Sequence, residues 1–190
     1  MEQEFKFPIV AFGSNTNLDD LDRYALLHGY PTGCLRFSEL VSAPDYKLAF
    51  TKYSKGRGGG VLDLLHSIGH VTTVALFYAS EAGLELLKQK EGVPRHYVEK
   101  QITVIDAGGG EIQALTYVVA PDQRERYVRP SEEYLNICKE GFERLGIDTS
   151  ELEAAAADKT IEPLPALYAY GTLMRAEPRF PTIAKYGVHC

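Results

Sequence analysis

The sequence predicts an α+β protein built on one curved sheet, mixed but mostly antiparallel, or on a small barrel, with flanking helices. Strand-like and helix-like segments follow each other without strict β–α–β alternation, which favours this class over a doubly wound parallel sheet. The Ala-Gly-Gly-Gly stretch at 107–110 joins two strand-like segments and is typical of a hairpin connection. No GxGxxG motif follows a strand, and the glycines at 58–60 lack the Lys-Ser/Thr of a P-loop.

The strands are indicated by alternating apolar residues and by a high content of β-branched and aromatic side chains. We expect six of them, near residues 7–12, 46–53, 60–65, 71–79, 97–106 and 111–119.

Four helices are predicted from apolar residues at helical spacing and from N-terminal capping residues. They are expected at about 17–28, 80–91, 131–145 and 150–158. Asn17, Ser80 and Ser131 precede the first three, and their side chains are of the type that accepts a hydrogen bond from the first helical turn.

Composition and charge limit the classes of protein and partner. With 190 residues, 45% hydrophobic and 24% charged, the chain has room for one ordinary core, which we place in residues 1–160. The net charge of −6 argues against nucleic acid as a partner, and the cluster Lys52, Lys55 and Arg57 is interpreted as a solvated loop. Apolar stretches too short to span a membrane, and the absence of a secretion-signal pattern, predict a cytoplasmic protein without a membrane partner.

The metal-binding residue types show no site-like spacing. Cys34, Cys138 and Cys190 form an odd and sparse set, which suits reduced thiols in a cytoplasm. The five histidines show no HxxxH or HxxE arrangement. We therefore expect no metal and no cofactor.

The turn Phe12-Gly13-Ser14-Asn15 is a candidate anion site. It lies between the first apolar strand and the helix that begins near Asn17, where free backbone N–H groups favour negative charge. Gly13 allows a ligand to approach the backbone closely. The alternative interpretation is an ordinary tight turn between a strand and a helix.

Several motifs together resemble those of the γ-glutamylcyclotransferase family, which includes γ-glutamylamine cyclotransferases and AIG2-like proteins. The resemblance covers roughly residues 8–147. It rests on five motifs in the right order: Phe12-Gly13-Ser14-Asn15, Gly59-Gly60, Glu91-Gly92-Val93, Tyr97 and Pro130-Ser131…Tyr134.

The resemblance implies both the fold and the reaction. Such enzymes convert a γ-glutamyl amino acid, amine or peptide to 5-oxoproline and a free amine, because the α-amine of the substrate attacks its own γ-carbonyl. This ring closure needs no enzyme nucleophile, only a folded substrate, a proton carrier and charge stabilisation. By resemblance Glu91 is the general base and then the general acid. From its position alone, the favoured interpretation of Glu91 is an exposed residue before a glycine that caps a helix, and only the resemblance reverses that judgement.

The other residues that match the motifs would bind the substrate. Phe12, Gly13, Ser14 and Asn15 would supply amides for the α-carboxylate, while Gly59 and Gly60 would line the glutamyl site or simply turn the chain. Tyr97 and Tyr134 would close the pocket; the alternative for each is an aromatic core residue with its hydroxyl satisfied.

Other functions remain open at this point. One is a non-catalytic binding or assembly module of the same fold, against which the acidic residue at 91 argues. Another is a biosynthetic enzyme that removes a γ-glutamyl protecting group.

Three residues depart from the motifs of the family. Phe12 stands where tyrosine is more usual, Gly58 stands in place of an aromatic residue, and Val74 stands in place of a small residue; these departures bear on the substrate more than on the fold. The sequence determines neither the leaving amine nor whether the protein is a homodimer.

The C-terminal residues repeat the first strand-and-turn pattern. Residues 166–172 carry this repeat, and residues 168–173 resemble the YGTL opening of related γ-glutamylamine cyclotransferase-like and avirulence-induced plant proteins. We expect 161–190 to form an added strand and a tail, or the start of a truncated second domain, since the remainder is too short for a core of its own.

Overall fold

A computed structural model describes residues 4–159, which form a closed five-stranded barrel flanked by helices. The predicted α+β class, in its small-barrel form, is confirmed. The elements in chain order are β1 (Phe7–Ala11), α1 (Leu18–Leu27), β2 (Leu35–Ser54), β3 (Gly59–Ala79), α2 (Glu81–Glu91), β4 (Tyr97–Ile105), β5 (Glu111–Val119), α3 (Glu132–Leu145) and α4 (Ser150–Ala156). The tail predicted at 161–190 lies outside the described residues.

The barrel closes in the order β1-β3-β2-β4-β5. All neighbouring strands are antiparallel except β1 and β5, which are parallel and pair Ile9 with Leu115. The pairing of β2 with β3 shifts register at three places, and such bulges bend and twist a strand pair. This bending lets two strands of 20 and 21 residues wrap around a small core.

The strand predictions are right for β1, β4 and β5 and incomplete for the two long strands. The segments expected at 60–65 and 71–79 belong to one continuous strand, β3, and the segment at 46–53 is only the second half of β2. The first half of β2 carries exposed residues at 36–38 and a proline, Pro44, next to one of the register shifts. These features resemble a loop in sequence because a bulged strand breaks the apolar alternation.

The predicted helices are all present and their N-terminal caps are confirmed. The Asn17 side chain accepts a hydrogen bond from the amide of Asp20, Ser80 from that of Gly83, and Ser131 from that of Tyr134. Helix α2 ends at Glu91, and Gly92 follows in the left-handed conformation (φ +63°) that glycine adopts without strain. The cap therefore fixes the position of Glu91 at the C-terminal end of its helix.

The core fills the barrel and the space beneath the helices. Its largest fully buried side chains are Phe50, Phe77, Phe142, Ile9, Leu21, Leu64, Leu76, Leu86, Leu87 and Leu152. Among the helices described between residues 4 and 159, none has the length and apolar character needed to cross a membrane.

One carboxylate lies inside this apolar core. Asp63 of β3 is fully buried and accepts four hydrogen bonds. The donors are the Leu64 amide (2.9 Å), the Val119 amide (2.9 Å), the Thr51 hydroxyl (3.0 Å) and Arg124 Nε (2.8 Å). These bonds join β2, β3 and the end of β5, and they neutralise a charge that would otherwise be costly to bury.

Candidate active site

A pocket of about 390 Å³, including the part open to solvent, lies at one end of the barrel. The end of β1, the turn after it, the C-terminus of α2 and parts of β3, β4, β5 and α3 meet there. The lining residues are Ile9, Val10, Ala11, Phe12, Gly13, Ser14, Asn15, Leu62, Glu91, Tyr97, Thr116, Tyr117 and Tyr134. Seven of the nine predicted site residues are thus brought together, from parts of the chain more than 100 residues apart.

Glu91 is partly buried at the edge of this pocket. Its Oε1 atom accepts a hydrogen bond of 2.8 Å from the side-chain amide of Asn15. No other hydrogen bond joins this carboxylate to residues 4–159, so it retains acceptor capacity towards a bound molecule.

The turn after β1 presents three consecutive amides with free hydrogen-bonding capacity. Thr16 N donates to Gly13 O (2.9 Å) and Asn17 N to Ser14 O (3.1 Å), and these bonds form the short 3₁₀ turn Ser14–Thr16. Within the described part of the chain, the N–H groups of Gly13, Ser14 and Asn15 donate to no other protein group. Successive unbonded N–H groups in a turn are the usual protein site for a carboxylate or phosphate.

The two predicted tyrosines are held against the backbone of one residue. The Tyr97 hydroxyl donates to Leu62 O (3.2 Å), and the Leu62 amide donates to the Tyr134 hydroxyl (3.4 Å). Burial raises the pKa of both phenols well above the ordinary value, so both stay neutral. The rings are therefore buried with satisfied hydroxyls, and they also line the pocket; their contact with a substrate stays a prediction.

Gly59 and Gly60 are not among the pocket-lining residues, contrary to the expected role in the glutamyl site. A Cβ atom on Gly60 would lie 1.9 Å from the carbonyl oxygen of Val128, and one on Gly59 would lie 2.5 Å from the amide nitrogen of Ser131. Gly60 N also donates to Arg129 O (2.8 Å). The pair therefore allows β3 to pass against the segment that leads into α3, the helix that carries Tyr134.

Tyr117 of β5 lines the pocket but was not predicted as a site residue. Its side chain is buried, and its hydroxyl has no hydrogen-bond partner among the described residues. Burial raises the pKa of this phenol above the ordinary value, so the hydroxyl remains a neutral donor. In the sequence it is one of several apolar residues of a strand, and nothing marks it as different from core.

A buried group of charges behind the turn was also missed. Lys90 Nζ donates to Asn15 Oδ1 (2.6 Å) and Ser14 Oγ (3.1 Å) and lies 3.6 Å from Asp20 Oδ2. Arg57 binds both oxygens of Asp20, at 3.1 and 2.7 Å. The interpretation of Arg57 as part of a solvated loop is therefore wrong, because its guanidinium is held by a buried carboxylate.

The charges in this group depend on one another. Burial lowers the pKa of Lys90, because its side chain is only 6% exposed, while the nearby carboxylates act in the opposite direction. Burial alone would raise the pKa of Asp20, but the hydrogen bonds from Arg57 and the charge of Lys90 keep it below its ordinary value. The sequence gives one signal of this group, a lysine directly before the candidate glutamate.

The comparisons with known proteins agree with the motif resemblance. Residues 71–152 match the model of the AIG2-like family, a range that contains Glu91, Tyr97, Tyr117 and Tyr134 but not the turn at 12–15. No curated protein gives a significant match to the sequence.

Similar barrels occur among solved structures. A structure titled gamma-glutamyl cyclotransferase is 24% identical, has a TM-score of 0.64, and aligns over 95% of this chain and 99% of its own. An uncharacterized protein from Homo sapiens is also 24% identical, with a TM-score of 0.63 over 96% and 99%. YkqA from Bacillus subtilis is 21% identical, with a TM-score of 0.65, and aligns over 84% of this chain and 56% of its own. At these identities the likeness concerns the fold.

Proposed function

We propose that this γ-glutamylcyclotransferase-like protein is a cyclotransferase. Its sequence matches the AIG2-like family model over residues 71–152, and its fold is similar to that of a gamma-glutamyl cyclotransferase. It would release 5-oxoproline and a free amine from a γ-glutamyl amino acid, amine or peptide. One observation carries the proposal: the Glu91 carboxylate is hydrogen-bonded to Asn15, in the same turn that offers three unbonded amides.

This arrangement fits the chemistry of a γ-glutamyl group. The α-carbon of the substrate bears both a carboxylate and an amine, so an anion site and a base for the amine must lie close together. If the α-carboxylate binds the amides of Gly13, Ser14 and Asn15, the amine on the adjacent carbon can turn towards Glu91, which is hydrogen-bonded to Asn15 of the same turn. The fit supports an α-amino acid headgroup over a simple carboxylic acid, because only the former uses both features.

Over one turnover of the proposed reaction, Glu91 takes up one proton and gives one back. The neutral α-amine attacks the γ-carbonyl carbon, the new C–N bond closes a five-membered ring, and Glu91 takes the proton that this nitrogen loses. Glu91 then gives a proton to the leaving nitrogen as the γ-carbon–nitrogen bond breaks, so that it returns to its starting form. Holding the substrate in a folded conformation supplies much of the rate, because the attack is intramolecular.

Removal of a γ-glutamyl protecting group is the same ring closure with a different leaving amine. It uses the same residues, so the choice of substrate decides between the two. A panel of γ-glutamyl amino acids, amines and peptides, assayed for 5-oxoproline, would identify the leaving group and test the proposal as a whole.

The first prediction concerns Glu91→Gln in this assay. Glutamine keeps an oxygen that accepts from Asn15 but cannot carry the proton, so we expect turnover to fall about 10²–10⁴-fold with the melting temperature unchanged. Glu85→Gln is a matched control, because Glu85 lies on the same helix, its side chain is 67% exposed, and it forms a surface ion pair with Lys88. Wild-type turnover in the Glu91 variant, or no 5-oxoproline from any member of the panel, would contradict the proposal.

A further inference from the structure

We infer that Lys90 is a positioning residue: its buried ammonium group fixes the Asn15 side chain and, through it, the Glu91 carboxylate. Asp20, which Arg57 holds in place, pairs with the ammonium. The inference about geometry is independent of the reaction, and its catalytic consequence rests on the function proposed above.

The Asn15 carboxamide is held at both ends by groups of opposite character. Lys90 Nζ lies 2.6 Å from Oδ1, and Glu91 Oε1 lies 2.8 Å from Nδ2. An ammonium group can only donate hydrogen bonds and an ionised carboxylate can only accept them. Rotating the carboxamide by 180° would place two donors face to face and two acceptors face to face. With Lys90 charged, only one orientation of Asn15 is allowed, and it is the one that donates to Glu91.

The same ammonium group fixes a second side chain of the turn. Lys90 Nζ donates to Ser14 Oγ at 3.1 Å, so the two polar side chains of the turn share one donor. The backbone amides of Ser14 and Asn15 are two of the three in this turn that donate to no protein group within residues 4–159. Lys90 therefore constrains the amide turn and the carboxylate as one unit.

Burying this lysine requires compensation, and the structure supplies it. Asp20 Oδ2 lies 3.6 Å from Nζ, and Asp20 is 8% exposed. Arg57 holds that carboxylate with two hydrogen bonds, the geometry that best fixes a carboxylate in place. Lys90 also lies in the last turn of α2, where the helix dipole favours a positive charge. Lysine is seldom buried unless paired, and here each partner either anchors it or belongs to the turn.

A double-mutant cycle in the 5-oxoproline assay tests the catalytic consequence. Lys90→Met removes the charge and the donors but keeps the length of the side chain, and we expect kcat to fall by about 10- to 100-fold because Glu91 is no longer held. Asn15→Ala should lower kcat as well. If Lys90 acts through Asn15, the double variant is no slower than Asn15→Ala alone. Losses that simply multiply would overturn the inference. Lys88→Met, on the same helix with the lysine side chain 39% exposed, is the matched control and should keep wild-type turnover.

A measurement on the protein without substrate separates this inference from the proposed function. In ¹H–¹⁵N spectra the side-chain amide signals of Asn15 should shift and broaden in Lys90→Met and stay unchanged in Lys88→Met. Lys90→Gln provides a second variant if the methionine protein does not fold; glutamine offers a neutral donor, so its Asn15 signals should lie between the two. Asn15 signals identical to wild type in both Lys90 variants would overturn the inference. A wild-type protein that releases no 5-oxoproline would overturn only the proposed function.

Discussion

The hydroxyl of Tyr117 is a single polar group that bears on both the stability of the protein and the binding of a substrate in the pocket. Its buried hydroxyl makes no hydrogen bond to the described residues, and leaving such a group unpaired costs about 1–3 kcal/mol. We predict that Tyr117→Phe is at least as stable as wild type, because the change removes that cost. We also predict a KM for the γ-glutamyl substrate raised several-fold, because the hydroxyl is then missing from the bound complex. Thermal unfolding and steady-state kinetics measure the two effects.

Tyr134→Phe is the comparison variant for this prediction, because it removes a pocket hydroxyl that does have a hydrogen-bond partner. The Tyr134 hydroxyl accepts from the Leu62 amide, so its removal leaves a buried backbone donor unpaired and should lower stability by about 1 kcal/mol. If the Tyr117 variant lost as much stability as the Tyr134 variant, its hydroxyl would have a partner in the folded protein, and its assignment to the substrate would fail.

At the scale of elements, the position of α3 depends on a close approach between two backbones. A Cβ atom at Gly60 would overlap the carbonyl of Val128, and neither atom belongs to a flexible side chain that can move aside. We predict that Gly60→Ala lowers the unfolding free energy by about 2 kcal/mol or more, within the range for overpacking a tight site, and lowers turnover by displacing Tyr134. Gly56→Ala is the control, since a Cβ there meets only the Ser54 hydroxyl at 4.0 Å. Equal stability of the two variants in urea unfolding would contradict this account.

Elements with local signals could be predicted from the sequence, and those defined by distant contacts could not. The helices were found because Asn17, Ser80 and Ser131 cap them within a few residues of the periodic apolar segment. The continuity of β2 and β3 was missed because the first half of β2 lacks apolar alternation, and because the pairing of β3 with β2 skips β3 residues 67–70 at a register shift.

The residues of the site divide in the same way: those with local signals could be predicted from the sequence, and those brought together by distant contacts could not. The turn at 12–15 and Glu91 have recognisable neighbours along the chain, and the barrel brings them into one pocket as expected. The group formed by Lys90, Asp20 and Arg57 joins three positions that are 33 to 70 residues apart and carry no shared motif. Charged residues in a sequence are most often solvated, so only the packing of α2 against the turn shows that these are buried.

At the scale of the whole molecule, the barrel combines an apolar core with one buried carboxylate that several strands share. Asp63 receives two backbone amides on Oδ1, from the next residue of β3 and from the end of β5. Its Oδ2 receives the hydroxyl of Thr51 and the guanidinium of Arg124. Because Asp63 follows Leu62, whose backbone holds both pocket tyrosines, the stability of the barrel and the shape of the pocket depend on the same stretch of β3.

We predict that Asp63→Asn destabilises the whole barrel by about 3 kcal/mol, the lower end of the range for losing one partner of a buried ion pair, since Arg124 is 31% exposed and keeps some hydration. Asparagine can keep the two amide bonds on its oxygen, but its NH₂ group then faces Arg124 Nε, which can only donate. Urea unfolding should show a lower midpoint with an unchanged slope. Arg126→Gln is the control: its ion pair with Asp158 is exposed, with Arg126 84% accessible, and its loss should cost less than about 1 kcal/mol. Equal effects of the two substitutions would show that Asp63 contributes no more than a surface charge, and the link it makes between the strands would not be what stabilises the barrel.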